Sequence, residues 1–177
     1  MKADIVFTDD RWEILPLEEV AKTSLALISD HILQKNIDFE IAILAGSDHD
    51  VIDLNKRFRG KSIATNILSW PEQEYKPARP GSFPDFASLL RGYQESHFLG
   101  NLALSFDRCA SEATEKNICF EVHIMHLLIH GGLHLIGFKH DNELDALLME
   151  DIEKKLLSRL GIKNPYELID RQVKYYE

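Results

Sequence analysis

His130, His134 and His140 lie in the segment His130-Gly131-Gly132-Leu133-His134-Leu135-Ile136-Gly137-Phe138-Lys139-His140, with the spacing H-x3-H-x2-G-x2-H. Residues i and i+4 of a helix are surface neighbours about 5–6 Å apart at Cβ, so His130 and His134 can aim their imidazoles at one point. Gly137 suits the left-handed turn that ends a helix, after which the chain can return His140 to the same point. Three converging neutral imidazoles, with a fourth position left to water, are the ligand set of a catalytic zinc and not of a closed structural one. The expected cofactor is one Zn2+ per chain, for which nickel or copper can substitute in vitro. A lone H-x3-H pair packs equally well in a core with satisfied nitrogens. The third histidine behind a glycine is what favours metal.

His126 extends the helical run to i, i+4, i+8. The outer two of that set lie roughly 12 Å apart along the axis at 1.5 Å per residue, so the three cannot face one ion. His126 is therefore read as a core residue or as a support behind the ligands. His123 is read as structural, and His31, His49 and His97 stand alone. The same spacing occurs in metzincin peptidases, H-E-x-x-H-x-x-G-x-x-H, whose glutamate is the general base. That position is Gly131 here, and losing a general base typically costs about 10²–10⁴-fold. A metallopeptidase is thus the weaker reading.

The histidine segment resembles the signature of the YbeY family, H-G-x-L-H-L-x-G-[FY]-x-H, and meets every fixed position of it. Upstream, Leu54-Asn55-Lys56-Arg57-Phe58-Arg59-Gly60-Lys61 is similar to the family's L-N-x-x-[FY]-R-x-K. Ala64-Thr65-Asn66-Ile67-Leu68-Ser69-Trp70-Pro71 is similar to its P-T-[DN]-V-L-S-F-P. Met149-Glu150, Leu160-Gly161 and Asn164-Pro165-Tyr166 also sit where members carry such residues, so the resemblance runs in order from about Asp50 to Tyr166. It implies a bacterial, zinc-dependent endoribonuclease that cuts single-stranded RNA in ribosomal RNA maturation. The partners it implies are the small ribosomal subunit, a ribosomal protein and the GTPase Era.

By family position Arg59 is the expected catalytic residue. Its planar guanidinium suits bidentate binding of a phosphodiester and of the charge that develops at phosphorus. Arg57 and Lys61 are expected to guide the substrate backbone, whereas Lys56 serves solubility. Thr65 and Ser69 place hydroxyls near the site, where capping and strand packing explain them equally well. Two residues depart from the family pattern. Asn101 replaces the usual aspartate after Gly100, keeping an acceptor but no charge. Lys139 replaces an aspartate before His140, putting a substrate-binding cation beside the metal. A remaining reading from another class is a ribosome-assembly factor with a structural zinc and no catalysis.

A length of 177 residues fits one domain with its own core. The 45% apolar and 28% charged fractions are those of a soluble globular protein. Asp4, Asp9 and Asp10 interrupt the early apolar run, so no signal peptide is expected. Ile118 to Phe138 contains Glu121 and four histidines, so no membrane span is expected. Cys109 and Cys119 lack C-x-x-C spacing and read as reduced thiols of a cytoplasmic protein. The net charge of −9 argues against a nucleic-acid partner. It is uneven, however: Lys56, Arg57, Arg59 and Lys61 form a local basic cluster, suited to weak, salt-sensitive phosphate binding.

Apolar periodicity supplies the positioning elements. Strands are predicted over Lys2 to Thr8, Phe39 to Ala45, Asn66 to Trp70 and Leu99 to Phe106. Helices are predicted from Pro16 to Gln34, from an N-cap at Ser47 to about Phe58, from Asp107 to Glu115, from about Asn117 to Gly137, and from about Asn142 to Leu160. In the last, Leu144, Leu147, Leu148, Ile152 and Leu156 are taken as the buried stripe. The order predicts an α+β domain: a small mixed four-stranded sheet packed with about five helices, the central one carrying the metal-binding histidines. Pro71 to Phe98, with four prolines and two glycines, is read as a long loop inserted relative to the family. It is expected to be a mobile lid near the metal.

Overall fold

Strands β1 (Lys2–Phe7), β2 (Phe39–Gly46), β3 (Ile67–Pro71) and β4 (His97–Ser105) form one sheet in the order β1-β2-β4-β3. β2 pairs in parallel with both β1 and β4, and β3 runs antiparallel to β4 at the far edge. The computed structural model describes residues 2–33, 39–86 and 97–166. Among them are five α-helices: α1 (Leu17–Ile28), α2 (Asp48–Arg59), α3 (Phe106–Glu115), α4 (Phe120–Leu135) and α5 (Glu143–Arg159). This is the mixed α+β architecture expected. No single described helix is long and apolar enough to cross a membrane.

The two faces of the sheet are covered unequally. The alternate inward residues Phe39, Ile41 and Ile43 of β2, with Leu102 and Leu104 of β4, pack in the main core with α1, α4 and α5. On the opposite face α2 covers a smaller cluster of Val51, Leu68 and Ala103, edged by Leu54 and Trp70. α2 begins in a capping box, in which Ser47 accepts from the Asp50 N–H and the Asp50 carboxylate accepts from the Ser47 N–H. It ends at Gly60 in a left-handed cap (φ 67°).

α4 is the hub, and its backbone must approach two neighbours at once. A Cβ on Gly131 would meet Ile67 Cδ1 at 2.7 Å and Leu102 Cδ2 at 2.9 Å on the sheet side. A Cβ on Gly132 would meet Ile28 Cδ1 at 2.5 Å on the α1 side. The glycine pair therefore sets how close α4 lies to both layers.

Several boundaries differ from expectation for local reasons. α4 starts at Phe120, not Asn117, because Asn117 takes a positive φ of 50° and closes the end of α3, with its N–H on Thr114 O and that of Ile118 on Ala113 O. α1 stops at Ile28 and passes into a π turn over Ser29–Leu33. A short 3-10 turn at Asp10–Ile14, not anticipated, buries Trp12, whose indole N–H donates to Gly46 O at 3.0 Å. In α5 the buried face is Met149, Ile152, Glu153, Leu156 and Leu157; Leu144 and Leu147 are 57% and 56% exposed. Ile152 and Leu156 are thus buried as expected and Leu148 packs on the core, whereas Leu144 and Leu147 in the first turns are not.

The segment after β3 is also not the unpacked lid expected, as far as residue 86. Glu72 N–H bonds to Leu99 O, and Pro77 pairs with Pro84 in an isolated antiparallel bridge. Tyr75 is buried, and Phe83 and Phe86 pack on Phe138 with ring centroids 5.3 and 6.1 Å apart. The Gly81 N–H donates to Asp145 Oδ1 at 2.6 Å. The chain reverses through a turn at Arg79–Ser82 between the paired prolines while its aromatic residues anchor it; positions 87–96 of the predicted lid lie outside the described residues.

Substituting Gly132 by Val should lower the unfolding free energy by about 1–3 kcal/mol through overpacking. In urea titrations the cost should be smaller in an Ile28→Ala background, because the two sites share one contact. Strict additivity would show that the helix contact is looser than it is drawn.

Candidate metal centre

The last turns of α4 put His130 and His134 on one face, and their Nε2 atoms stand 3.0 Å apart. His130 Nδ1 lies 2.8 Å from Glu153 Oε1, and His134 Nδ1 lies 2.8 Å from Phe138 O. Both of those oxygens only accept, so each Nδ1 carries the proton and each Nε2 presents a lone pair. Two lone pairs facing each other with no shared proton repel, and a cation between them removes the conflict. Nitrogen ligands of a tetrahedral zinc, each about 2.0–2.1 Å from the ion, stand roughly 3.3 Å from one another. The donor set fits a metal.

His140 joins the pair because the chain reverses at Gly137. Gly137 adopts φ 93°, and a Cβ there would meet the Tyr75 carbonyl oxygen at 2.4 Å, so a side chain is excluded both by conformation and by space. The Phe138 N–H returns to Leu133 O at 3.1 Å. One ligand atom from each of His130, His134 and His140 lies within 4.8 Å of the others, a group that can hold a metal ion. Burial, with the neighbouring His130 adding to it, pushes the His134 imidazole down to about 4. It is neutral near pH 7, as a ligand must be.

Glu153 is the functional residue that the motif reading missed. It is 1% exposed and accepts from His130, from His126 Nε2 at 2.9 Å and from the Tyr166 hydroxyl. Burial alone would raise its pKa, but the hydrogen bonds from His126 and His130 outweigh that and hold it down to about 2. A carboxylate behind a histidine fixes the tautomer and orientation of the ring for metal binding. The signal was legible: Glu153 falls inside the buried i, i+3, i+4, i+7 stripe of α5, where a lone acid needs a partner. His126 thus lies behind the triad on the second oxygen of Glu153. His123 is structural, buried with its Nε2 3.0 Å from Glu112 Oε2.

The triad opens into a cleft of about 490 Å³ whose walls include Arg59, Ser69, Tyr75 and Lys139. The Arg59 Nη2 donates to Ser69 O at 3.5 Å, which brings the guanidinium round the β3 edge to the cleft. Thr65 and Asn66 also line it. The Asn66 amide is occupied, donating to Glu112 Oε2 at 3.0 Å and accepting from the Ile67 N–H at 2.6 Å. Of the predicted substrate contacts, Lys139 is at the cleft, while Arg57 and Lys61 are not among its lining residues. Asn101 is not among them either; it is exposed on β4 opposite Trp70.

Comparison with known proteins gives the family. The family profile of Endoribonuclease YbeY matches residues 6–161. This chain belongs to the YbeY endoribonuclease family. An Endoribonuclease YbeY from a Jannaschia species is 40% identical over 167 residues, covering 94% of this chain and 100% of that protein. One from a Ruegeria species is 36% identical over 170 residues, covering 96% and 99%. The solution structure of a Thermotoga maritima protein superposes with a TM-score of 0.52 at 19% identity, covering 90% of this chain and 91% of that one. That likeness shows the shared fold.

Glu153→Gln should weaken zinc binding about 10–100-fold, measured by competition with a chromogenic chelator. The amide cannot accept from two histidines as a carboxylate does. Unchanged affinity would mean that the ring of His130 is positioned by packing alone.

Proposed function

We propose that the chain is a zinc-dependent endoribonuclease that cuts single-stranded RNA during ribosomal RNA maturation. One observation carries the reading: a three-imidazole donor set and the cations Arg59 and Lys139 share one open cleft. Such a site suits a phosphodiester, which offers a metal an anionic oxygen and offers cations a negative charge that grows toward the transition state. The bound zinc supplies Lewis acidity at the phosphodiester. His130, His134 and His140 would hold it, with Glu153 and the Phe138 carbonyl keeping two of the rings in the right tautomer. Arg59, held against the Ser69 carbonyl, binds the scissile phosphate and stabilises its developing charge, while Lys139 draws the strand to the opening.

The reading extends to a single endoribonuclease domain over residues 1–177, with residues 71–98 as an insertion, acting in the cytoplasm on the small ribosomal subunit alongside Era. Family membership supports it. A peptidase is disfavoured because position 131 has no side chain, and its Cβ direction leads into Ile67 and Leu102. A purely structural zinc is disfavoured by the open cleft in front of the triad.

Purified protein should contain about one zinc per chain by elemental analysis. His140→Ala should lose it, and His126→Ala should keep most of it. Full metal in His140→Ala would overturn the ligand set.

His134→Ala and Arg59→Glu should each reduce cleavage of a single-stranded RNA by at least ~10²-fold, the scale of removing one preorganised charge donor. Arg59→Glu should retain its zinc and its cooperative unfolding, and casein should stay intact throughout. Equal RNA cleavage by wild type and Arg59→Glu would remove the arginine from the mechanism; casein cleavage lost in His134→Ala would restore the peptidase.

A further inference from the structure

Across the β3 edge from the cleft lies an apolar patch that the metal chemistry does not use. Phe58, in the last turn of α2, is 64% exposed, and Ile63, just beyond the Gly60 cap, is 62% exposed. The Phe58 ring sits 5.2 Å from that of Trp70 at a tilt of 58°. Trp70 packs in turn on the Val51–Leu68–Ala103 cluster, so Phe58 is backed by a fixed surface. The loop after the cap is pinned as well, because the buried Asn55 amide donates to Ile63 O at 2.8 Å. Large apolar side chains left exposed on a fixed support mark a surface suited to a partner.

The surroundings state the chemistry of that partner. Lys56, Arg57, Arg59 and Lys61, which flank Phe58 in the chain, are all exposed. Among the described residues none of the four is paired with a carboxylate. In a chain of net charge −9, this concentrates positive charge in the last turn of α2 and just beyond it, in the same turn as an exposed aromatic ring, a combination that suits a flexible polyanion carrying planar bases. β3 is the edge strand, and its residues alternate. Ser69 and Pro71 line the cleft, while Trp70 faces α2. Arg59 spans the edge between them through Ser69 O.

The geometry points to the Phe58–Trp70 pair as a stacking platform for one base of single-stranded RNA, next to the nucleotide whose phosphate meets Arg59. The inference rests on the RNA-cleaving reading above and adds a subsite to it. It also gives Arg57 and Lys61 a place, on phosphates outside the cleft. A duplex, whose bases are stacked on one another, cannot use the platform, so it contributes to a preference for single strands.

The test uses His134→Ala protein, which leaves RNA uncut, and labelled oligoadenylate and oligouridylate followed by fluorescence anisotropy. Phe58→Ala should weaken oligoadenylate binding about tenfold or more, and Phe58→Tyr should stay within about twofold of the parent. The parent should prefer the better-stacking adenylate, and Phe58→Ala should lose the preference. Arg57→Ala and Lys61→Ala should weaken both oligomers equally and reduce the salt slope by about 0.7 each. Of the two tryptophans, Trp12 is fully buried, so RNA should quench Trp70 emission in the parent and much less in Phe58→Ala. Unchanged affinity and quenching in a folded Phe58→Ala protein would overturn the platform while leaving the RNA reading intact, and would assign the patch to a protein surface. Failure of the parent to bind either oligomer would overturn both.

Discussion

Two histidines one helical turn apart make a metal site only if each Nδ1 proton is taken by something other than the partner ring, and much of this structure follows from that requirement. The Phe138 carbonyl can serve His134 because Gly137 reverses the chain immediately after α4. The Glu153 carboxylate can serve His130 because α5 packs against α4 and brings an acid into its otherwise apolar face. An ionised carboxylate in such a place is costly unless its acceptor sites are filled. His126 and Tyr166 fill the other oxygen. The lone pairs that face each other at the cleft are thus the outcome of hydrogen bonds made behind it.

The same helix has to lie close to its surroundings. Gly131 and Gly132 let α4 settle between the sheet and α1, which sets the height of the triad above Ile67 and the β3 edge. β3 then determines the electrostatics. Its Ser69 carbonyl accepts from Arg59, and its position as an edge strand lets this one cation of α2 reach a cleft built on the opposite face of the sheet. The cleft thus carries two cations, Arg59 and Lys139, against the carboxylates of Glu74 and Asp141, in a chain with an overall excess of acidic residues. Global charge governs long-range attraction and solubility, but a phosphate in the cleft responds to the few charges within a Debye length.

The strap over residues 72–86 shows how composition can mislead. Prolines and mixed polarity predict little packing, yet the segment is packed. Proline lowers the entropy lost on ordering a chain, and an aromatic residue every few positions is enough to anchor it. Phe83, Phe86 and Tyr75 find Phe138 and the back of Gly137, so the strap buttresses the turn that presents His140. The α5 stripe divides along its length. Ile152 and Leu156 are buried and Leu148 packs on the core, whereas Leu144 and Leu147 stay more than half exposed, because periodicity identifies a face without saying how far along it the packing extends.

What the sequence determined by itself is local. The H-x3-H-x2-G-x2-H spacing, the Ser47 N-cap and the apolar strand β2 depend on residues close together in the chain, and the cap and the strand formed where they were expected. The four strands and five helices followed, with Gly137 as the hinge between the ligands. Contacts between distant segments were decided only by the tertiary structure. Glu153 reaches His130 across 23 positions of sequence, Arg59 reaches the cleft through an edge strand, and Arg57 and Lys61 fall outside it although they flank Arg59 in the chain. Successive helical residues point about 100° apart, so neighbours in sequence diverge on a surface, and which direction meets a cleft depends on the packing of the whole helix.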